Sequence, residues 1–308
     1  MGLLLLFGGT SFSGALDTLG TGLESAWSVG RRLRAGYSGA VIRVRRSSDN
    51  AEQDFSGSGT TGAVDAAAVA AFCGAGDGFL TTIYDQSGNG RDWVQATTTL
   101  QPVAVSSGTG VAQNSKQACS TTTAAARRMS VASSTALYNF MHTTGGTAYV
   151  VHQSTDTAAR KCLFANSNSL TGTTGGFLIN SDGSERFETR VGRVDSGGSP
   201  TTGLSVSVTA ADTASTAIRL NSFLLDPDNG TAGSRWSLWQ NTTQSATANA
   251  STGTPFVENA AFDLQLLAYP GGASPYDGVF CELVIWSGDR TANRTTWETD
   301  AKAFWGTP

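Results

Sequence analysis

The sequence predicts an all-β fold, a β-sandwich with a few short helices, and two observations support this class. Glycine is abundant, at 37 of 308 residues, and long helical patterns are scarce. Short apolar segments recur along the second half of the chain, and Gly, Asn, Asp and Ser separate them at spacings typical of sandwiches. A chain of this length can form one large β domain or two ordinary ones.

The N-terminal region is interpreted as an anchoring arm of residues 1–25, followed by a single domain over residues 26–308. The arm begins with a run of consecutive apolar residues, namely Leu3, Leu4, Leu5, Leu6 and Phe7. This run lacks a positive leading region and is short for a signal peptide. We expect it to dock on another chain, with a first strand of the same domain as the alternative.

The next elements follow from local patterns. The segment 24–39 is expected to form a short helix. In the segment AVIRVRR (residues 40–46), apolar residues alternate with arginines, which predicts a strand with one wet face. The segment VDAAAVAAFCG (residues 64–74) predicts a helix that Asp65 caps and Gly74 ends. A last helix is predicted where three apolar residues recur at helical spacing, namely Trp297, Ala301 and Phe304.

The composition limits the classes of partner and cofactor. A net charge of -4 argues against nucleic acid, which favours a basic stripe. No segment is long enough to span a membrane. The four cysteines show no C-x-x-C spacing, so they indicate buried thiols before disulfides, and with only two histidines neither a metal site nor a cofactor is expected.

A charged cluster stands out in a chain that is only 14% charged. It covers the end of the predicted strand and the turn after it, and consists of Arg43, Arg45, Arg46, Asp49, Glu52 and Asp54. We interpret it as structural, with arginines of the wet face paired to the acids across the turn.

The segment YDQSGNGRDW admits two interpretations. Its polar and aromatic residues are candidates for a carbohydrate site, namely Tyr84, Asp85, Asn89, Arg91, Asp92 and Trp93. The alternative is a turn that Asp and Asn side chains lock by hydrogen bonds to the backbone, and it explains the Gly and Asn spacing better.

Two stretches taken together carry a family resemblance. The segments RRLRAGYSGAVIRVRRSSDNAEQDF and VDAAAVAAFCGAGDGFLTTIYDQSGNGRDWVQA resemble the N-terminal part of the α-L-arabinofuranosidase B catalytic domain. They are also similar to a module found in phage virion proteins. The remainder resembles a concanavalin-like jelly roll with a laminin-G-like ending. The resemblance implies two antiparallel sheets face to face, without implying activity.

The resemblance also implies where catalysis would take place. A retaining glycosidase needs two carboxylates about 5 Å apart. In the family an acid/base Asp follows a Gly-Gly pair, whereas Ala273 stands there in this chain. The family's vicinal cysteine pair corresponds to Lys161-Cys162, and its disulfide partner of Cys73 corresponds to Gly78. These departures indicate lost catalysis, with Glu185 and Asp277 as weak candidates for a shifted dyad.

The sequence alone therefore favours a non-enzymatic phage virion protein, such as a head decoration, fibre or tail-tip component. Expected partners are other virion proteins through the arm, host surface glycans, and further copies of the chain, at the virion exterior. The alternatives are a glycoside hydrolase of the arabinofuranosidase type and an extracellular bacterial lectin-like adhesin.

Overall fold

The computed structural model describes residues 12–155, 161–168, 175–181, 187–194, 200–207, 217–226, 229–231, 234–248, 254–255 and 258–308. Nearly all of its regular structure is β-strand, with two α-helices, so the predicted all-β class is confirmed. No helix among these residues is long and apolar enough to cross a membrane.

One layer of the sandwich, sheet A, contains the β2–β3 hairpin and most of the short strands of the chain. Its strands are β2 (Ile42–Arg46), β3 (Glu52–Phe55), β4 (Gly78–Ile83), β5 (Trp93–Val94), β6 (Val103–Ser106), β7 (Thr109–Gly110), β11 (Met129–Val131), β13 (Cys162–Ala165), β14 (Phe177–Ser181), β15 (Phe187–Val194), β16 (Pro200–Ser207), β20 (Thr254–Pro255) and β21 (Gln265–Leu266). Antiparallel pairing runs in the order β3-β2-β4-β5-β11-β21-β13-β14-β15-β16.

The other layer, sheet B, is built on the last long strand. Its strands are β1 (Leu23–Ser28), β10 (Cys119–Thr121), β12 (Gly146–Ser154), β17 (Arg219–Leu225), β18 (Trp236–Gln240), β19 (Thr243–Ala248) and β22 (Gly278–Ser287). β22 pairs with β12 on one side and with both β1 and β10 on the other. The two layers are joined where β6 pairs with β10, and β8 (Ala112–Gln113) and β9 (Lys116–Gln117) form a separate hairpin.

The core lies between the two sheets. Alternate residues of sheet A point into it, including Val44, Leu80 and Phe164, and they pack against residues of sheet B such as Val150 and Leu283. Such alternation gives each sheet an apolar face and a second face that points away from the core. We call the second face of sheet A the polar face.

The outer side of sheet B is covered by the C-terminal helix α2 (Arg294–Trp305). Trp297 and Ala301 are buried, and the Trp297 ring stacks on Tyr149 at 4.8 Å. The helix ends at Gly306, which adopts a left-handed conformation. The predicted last helix is thus confirmed, because its apolar stripe has sheet B to pack against.

The other predicted helix is also confirmed. α1 covers Ala66–Cys73, and the Asp65 side chain accepts hydrogen bonds from the backbone N–H groups of Ala67 and Ala68. Gly74 follows with a positive φ of 62° and closes the helix through its own N–H. Both signals are local in sequence, which is why they could be recognised without the fold.

One expectation for the N-terminal region needs correction. The helix expected over residues 24–39 is wrong, because β1 (Leu23–Ser28) occupies the start of this segment and pairs with β22. Leu16 and Leu19 are buried in the cluster beneath α2, so this part of the predicted arm packs on the domain. The division into an arm over residues 1–25 and a domain over residues 26–308 stays a prediction. The apolar run Leu3–Phe7 lies outside the described residues, and its anchoring role stays a prediction.

Candidate functional site

A row of side chains crosses the polar face on three neighbouring strands. Cys162 of β13 lies opposite Asn180 of β14, and Asn180 lies opposite Glu188 of β15. Directly opposed residues in an antiparallel pair project to the same face of the sheet. The row therefore places a thiol, an amide and a carboxylate side by side, away from the core.

Glu188 supplies the carboxylate of this row. It is buried, with 5% of its surface exposed, and Asn180 Nδ2 donates to its Oε1 at 3.0 Å. Arg190, two residues further on the same face, has its Nε 3.9 Å from the same oxygen. A buried carboxylate held by an amide donor and flanked by a guanidinium is oriented by its surroundings, as a catalytic carboxylate must be.

A tight turn over residues 269–274 rises beside the row. Tyr269 is buried against Cys162 and Leu178 on the polar face. Hydrogen bonds from Gly272 N to Tyr269 O (2.8 Å) and from Tyr269 N to Ala273 O (2.9 Å) close the turn. Cys162 N donates to Ser274 O at 2.9 Å, so the turn is fastened to the same strand that carries the row.

The predicted catalytic candidates fall at different places. Ala273 is exposed on the turn, so no carboxylate occupies that position. Asp277 lies just before β22, is half-buried, and accepts a hydrogen bond from Thr155 Oγ1 at 2.8 Å. Glu185 lies outside the described residues, and the shifted dyad stays a prediction. Glu188 was missed, although its place in the alternating segment ERFETR was the available signal.

The cysteines behave as the sequence indicated. Within the described residues all four are buried and free of disulfides. Burial raises the pKa of the Cys162 thiol well above its ordinary value, so this thiol is a packing group and not a nucleophile. A Cβ built on Gly78 would stand 2.5 Å from Cys73 Sγ, which places these two positions face to face as the resemblance implied.

The segment YDQSGNGRDW forms a compact turn beside β1. Both carboxylate oxygens of Asp85 accept hydrogen bonds from the chain, from the backbone N–H of Ala26, Ser87 and Arg91 and from the Ser87 hydroxyl. Asp92 accepts from the backbone N–H of Asp85. These bonds are the ones that the turn interpretation requires.

The remaining members of the predicted carbohydrate site divide into two groups. Asn89 and Arg91 bond to Glu24 of β1, and Trp93 is fully buried against Trp27. Tyr84 is only half-buried, at the edge of the polar face, and its hydroxyl donates to Asp54. Saccharide binding at this segment stays a prediction, with Tyr84 as the member best placed for it.

The charged cluster braces β2 and the turn that follows it. Arg43 makes two hydrogen bonds to Asp54 (2.7 and 2.8 Å), and Arg46 makes two to Asp49 (2.8 and 2.6 Å). Arg45 departs from the expectation, since its partners are the neutral side chains of Asn50 and Gln101. The described residues hold no group of three or more potential metal ligands.

These features define the class of the protein. It is a jelly-roll β-sandwich that presents a buried carboxylate on the polar face of one sheet. The model of the family "Alpha-L-arabinofuranosidase B, catalytic" matches residues 16–171, just over half of the chain. The chain belongs to this family.

Individual relatives agree with this assignment. The probable α-L-arabinofuranosidase B of Aspergillus fumigatus is 40% identical over 77 residues, which cover 25% of this chain and 15% of that protein. The α-L-arabinofuranosidase B of Emericella nidulans gives the same figures. The matched segment is thus a small part of these curated relatives.

Solved structures show the same fold over nearly the whole chain. A GH54 α-L-arabinofuranosidase soaked with a cyclic sulfate inhibitor superposes with a TM-score of 0.63 at 16% identity, over 94% of this chain and 64% of that chain. An arabinofuranosidase complexed with arabinofuranosyl-α-1,2-xylobiose gives 0.62 at 18%, over 92% and 64%.

These comparisons correct the main functional expectation. The interpretation as a non-enzymatic virion protein, with its decoration, fibre or tail-tip roles, is wrong, because the chain belongs to a family of catalytic domains. The departures at Ala273 and Lys161 were given too much weight. They touch two positions, whereas the family model matches residues 16–171 as a whole.

Proposed function

We propose that this chain is a glycoside hydrolase of the α-L-arabinofuranosidase type and that Glu188 is one of its two catalytic carboxylates. The observation that carries the proposal is the buried Glu188 carboxylate on the polar face, held by Asn180 and flanked by Arg190. Membership of the arabinofuranosidase B catalytic family supports the reaction class and the arabinose-containing substrate. An extracellular location belongs to the same proposal.

In this reaction one carboxylate attacks the anomeric carbon or activates water, while a second protonates the leaving oxygen. We assign the first role to Glu188, because the hydrogen bond from Asn180 fixes the direction of its carboxylate. Asp277 is the candidate for the second role. It lies four positions beyond the Ala273 that stands where the family carries its acid, and Thr155 holds its side chain.

The experiment measures release of 4-nitrophenol from 4-nitrophenyl α-L-arabinofuranoside. Glu188→Gln keeps the size of the side chain and its place beside Asn180 but removes the charge. We expect its turnover to fall by at least about 100-fold, since catalytic carboxylates contribute on this scale. Glu52→Gln, an exposed glutamate of sheet A, serves as the matched control and should leave turnover unchanged.

The outcomes separate the reaction from the residue. If the wild-type chain releases no more nitrophenol than buffer from any arabinofuranoside tested, the proposed function is refuted. If the wild-type chain is active and Glu188→Gln is equally active, only the role of Glu188 is refuted. The Asp277→Asn variant tests the second carboxylate in the same way.

A further inference from the structure

Three arginines, Arg45, Arg127 and Arg128, lack the acidic partners that the neighbouring Arg43 and Arg46 have. Arg43 and Arg46 are neutralised by ion pairs with Asp54 and Asp49. Arg45, between them on β2, is buried to 7% exposure and donates only to neutral oxygens, those of Gln101 (2.8 Å) and Asn50 (2.7 Å). Buried charges in proteins are normally paired, so an unpaired guanidinium here calls for a partner.

The side chain of Arg127 reaches the same aromatic ring as that of Arg45. The Arg45 and Arg127 guanidinium carbons each lie 4.9 Å from the centre of the Phe79 ring. Arg127 donates from Nη1 to the backbone oxygen of Gln101, so both arginines are tied to one residue. Burial lowers the pKa of Arg127. The negative charge of Asp77 raises this pKa, and the positive charge of Arg45 lowers it further.

The third arginine, Arg128, lies against the turn over residues 269–274. A Cβ built on Gly272, which has φ +89°, would stand 2.5 Å from Arg128 Nη1 and 2.9 Å from its Cζ. The guanidinium therefore occupies the space that a side chain at residue 272 would need. Its own hydrogen bond goes to the backbone oxygen of Ala126 at 3.2 Å. Within the described residues none of the three arginines has a carboxylate at ion-pair distance.

Two acids are near enough to be considered as internal partners. Glu52 lies opposite Arg45 in the β2–β3 register, yet it is exposed and forms no ion pair with it. Asp77 accepts a hydrogen bond from the backbone N–H of Ser107 and reaches Arg127 only through its longer-range charge. Neither acid satisfies the guanidinium groups by contact.

The position of these arginines relative to Glu188 sets their role. Arg128 directly precedes β11, and the order β11-β21-β13-β14-β15 separates it from Glu188 by four strand spacings. At about 4.8 Å per strand this is about 19 Å along the polar face. Arg45 lies three strands further along the sheet, in the order β11-β5-β4-β2. The arginines are therefore too far away to touch the reacting bond, but a long polymer bound at Glu188 could extend to them.

We propose that Arg45, Arg127 and Arg128 form a subsite for the carboxylate groups of an acidic saccharide, so that the chain recognises polymers that carry uronate residues several sugar units away from the bond to be cleaved. The planar, multiply donating guanidinium group suits bidentate binding of a carboxylate. This inference rests on the proposed function for its saccharide ligand, while the subsite itself can be tested without any turnover.

The test uses titration calorimetry with the intact chain and two probes, trigalacturonate and its methyl ester. The carboxylates of the first are charged, and esterification removes that charge in the second. We expect trigalacturonate to bind at least tenfold more tightly than the ester, with an affinity that falls as salt is raised. Arg127→Gln, a half-buried position, should weaken trigalacturonate at least tenfold. The matched control Arg46→Gln removes the same charge from an existing ion pair with Asp49 and should change the affinity less than twofold.

Each alternative outcome overturns the subsite. Equal binding of acid and ester would show that charge is not recognised, and equal losses in Arg127→Gln and Arg46→Gln would show general attraction only. Competition by inorganic sulfate at the same concentration as trigalacturonate would identify a small-anion site instead. The two proposals fail separately, because a wild-type chain that binds trigalacturonate selectively but releases no nitrophenol from any arabinofuranoside refutes only the proposed function.

Discussion

The buried ion pair between Arg31 and Glu282 allows a demanding test of how this sandwich is held together. Arg31 follows β1, Glu282 lies in the middle of β22, and the two share hydrogen bonds of 2.8 Å from Nε and from Nη2. Glu282 also accepts from Trp305 Nε1 of α2 at 3.1 Å. One carboxylate thus joins the first strand, the last strand and the C-terminal helix.

We predict that Glu282→Ala lowers the free energy of unfolding by about 3–5 kcal/mol, the cost of leaving one partner of a buried pair unmatched. Burial lowers the pKa of Arg31, but Glu282 and Asp300 outweigh it and raise the pKa. Arginine stays protonated in proteins, so removal of Glu282 leaves a buried positive charge. Asp300 still contacts it, from a side chain that is 40% exposed. Urea unfolding followed by tryptophan fluorescence measures the change.

Asp300→Asn is the matched control, because it removes a carboxylate from the exposed side of the same guanidinium. We expect it to cost about 0–1 kcal/mol. The double variant Arg31→Met with Glu282→Met should recover most of the loss, since apolar side chains of similar volume often replace a buried pair without penalty. The reasoning is refuted if Glu282→Ala costs no more than Asp300→Asn.

Three further predictions concern other parts of the fold. Arg46 holds the pKa of Asp49 at about 2, below its ordinary 3.8. The stabilisation from this pair is complete above pH 3.8 and is lost as the pH falls toward 2. The melting temperature of Asp49→Asn should therefore depend less on pH over this interval than that of the wild type. Gly278→Ala should lower the free energy of unfolding by at least about 2 kcal/mol, because φ is +145° at this glycine and an added Cβ would clash with the backbone. Gly36→Ala is the control, because an added Cβ has open space there and should change the urea midpoint little. If Tyr84 presents its ring to a saccharide, Tyr84→Ala should lose retardation in an arabinan affinity gel and Tyr84→Phe should keep it; retardation unchanged in both would remove Tyr84 from the candidates.

The sequence predicted those elements whose signals are local. Asp65 and Gly74 mark the two ends of α1 by hydrogen bonds within a few residues, and the alternation in residues 40–46 marks β2 in the same way. The segment 24–39 was misjudged because its structure depends on pairing with β22, at the other end of the chain. No local propensity reports such a partner.

The candidate site was harder to predict for the same reason. Cys162, Asn180 and Glu188 form a row only when the registers of three strands are known. A shift by one residue in either pairing would turn Glu188 to the other face of the sheet. The resemblance drew attention to Ala273 and Lys161, where the chain differs from its family, and away from a glutamate that no short motif marks.

The linkage of β1 to β22 also has a consequence for the newly made chain. Arg31 and Glu282 are 251 residues apart, so the ribosome must add nearly the whole domain before the first strand can find its partner. At about 5–20 residues per second this delay is roughly 13–50 s. During that time Trp27 and the other apolar residues of β1 have no sheet B to enter. We therefore expect the nascent protein to depend on chaperones until its last strand emerges.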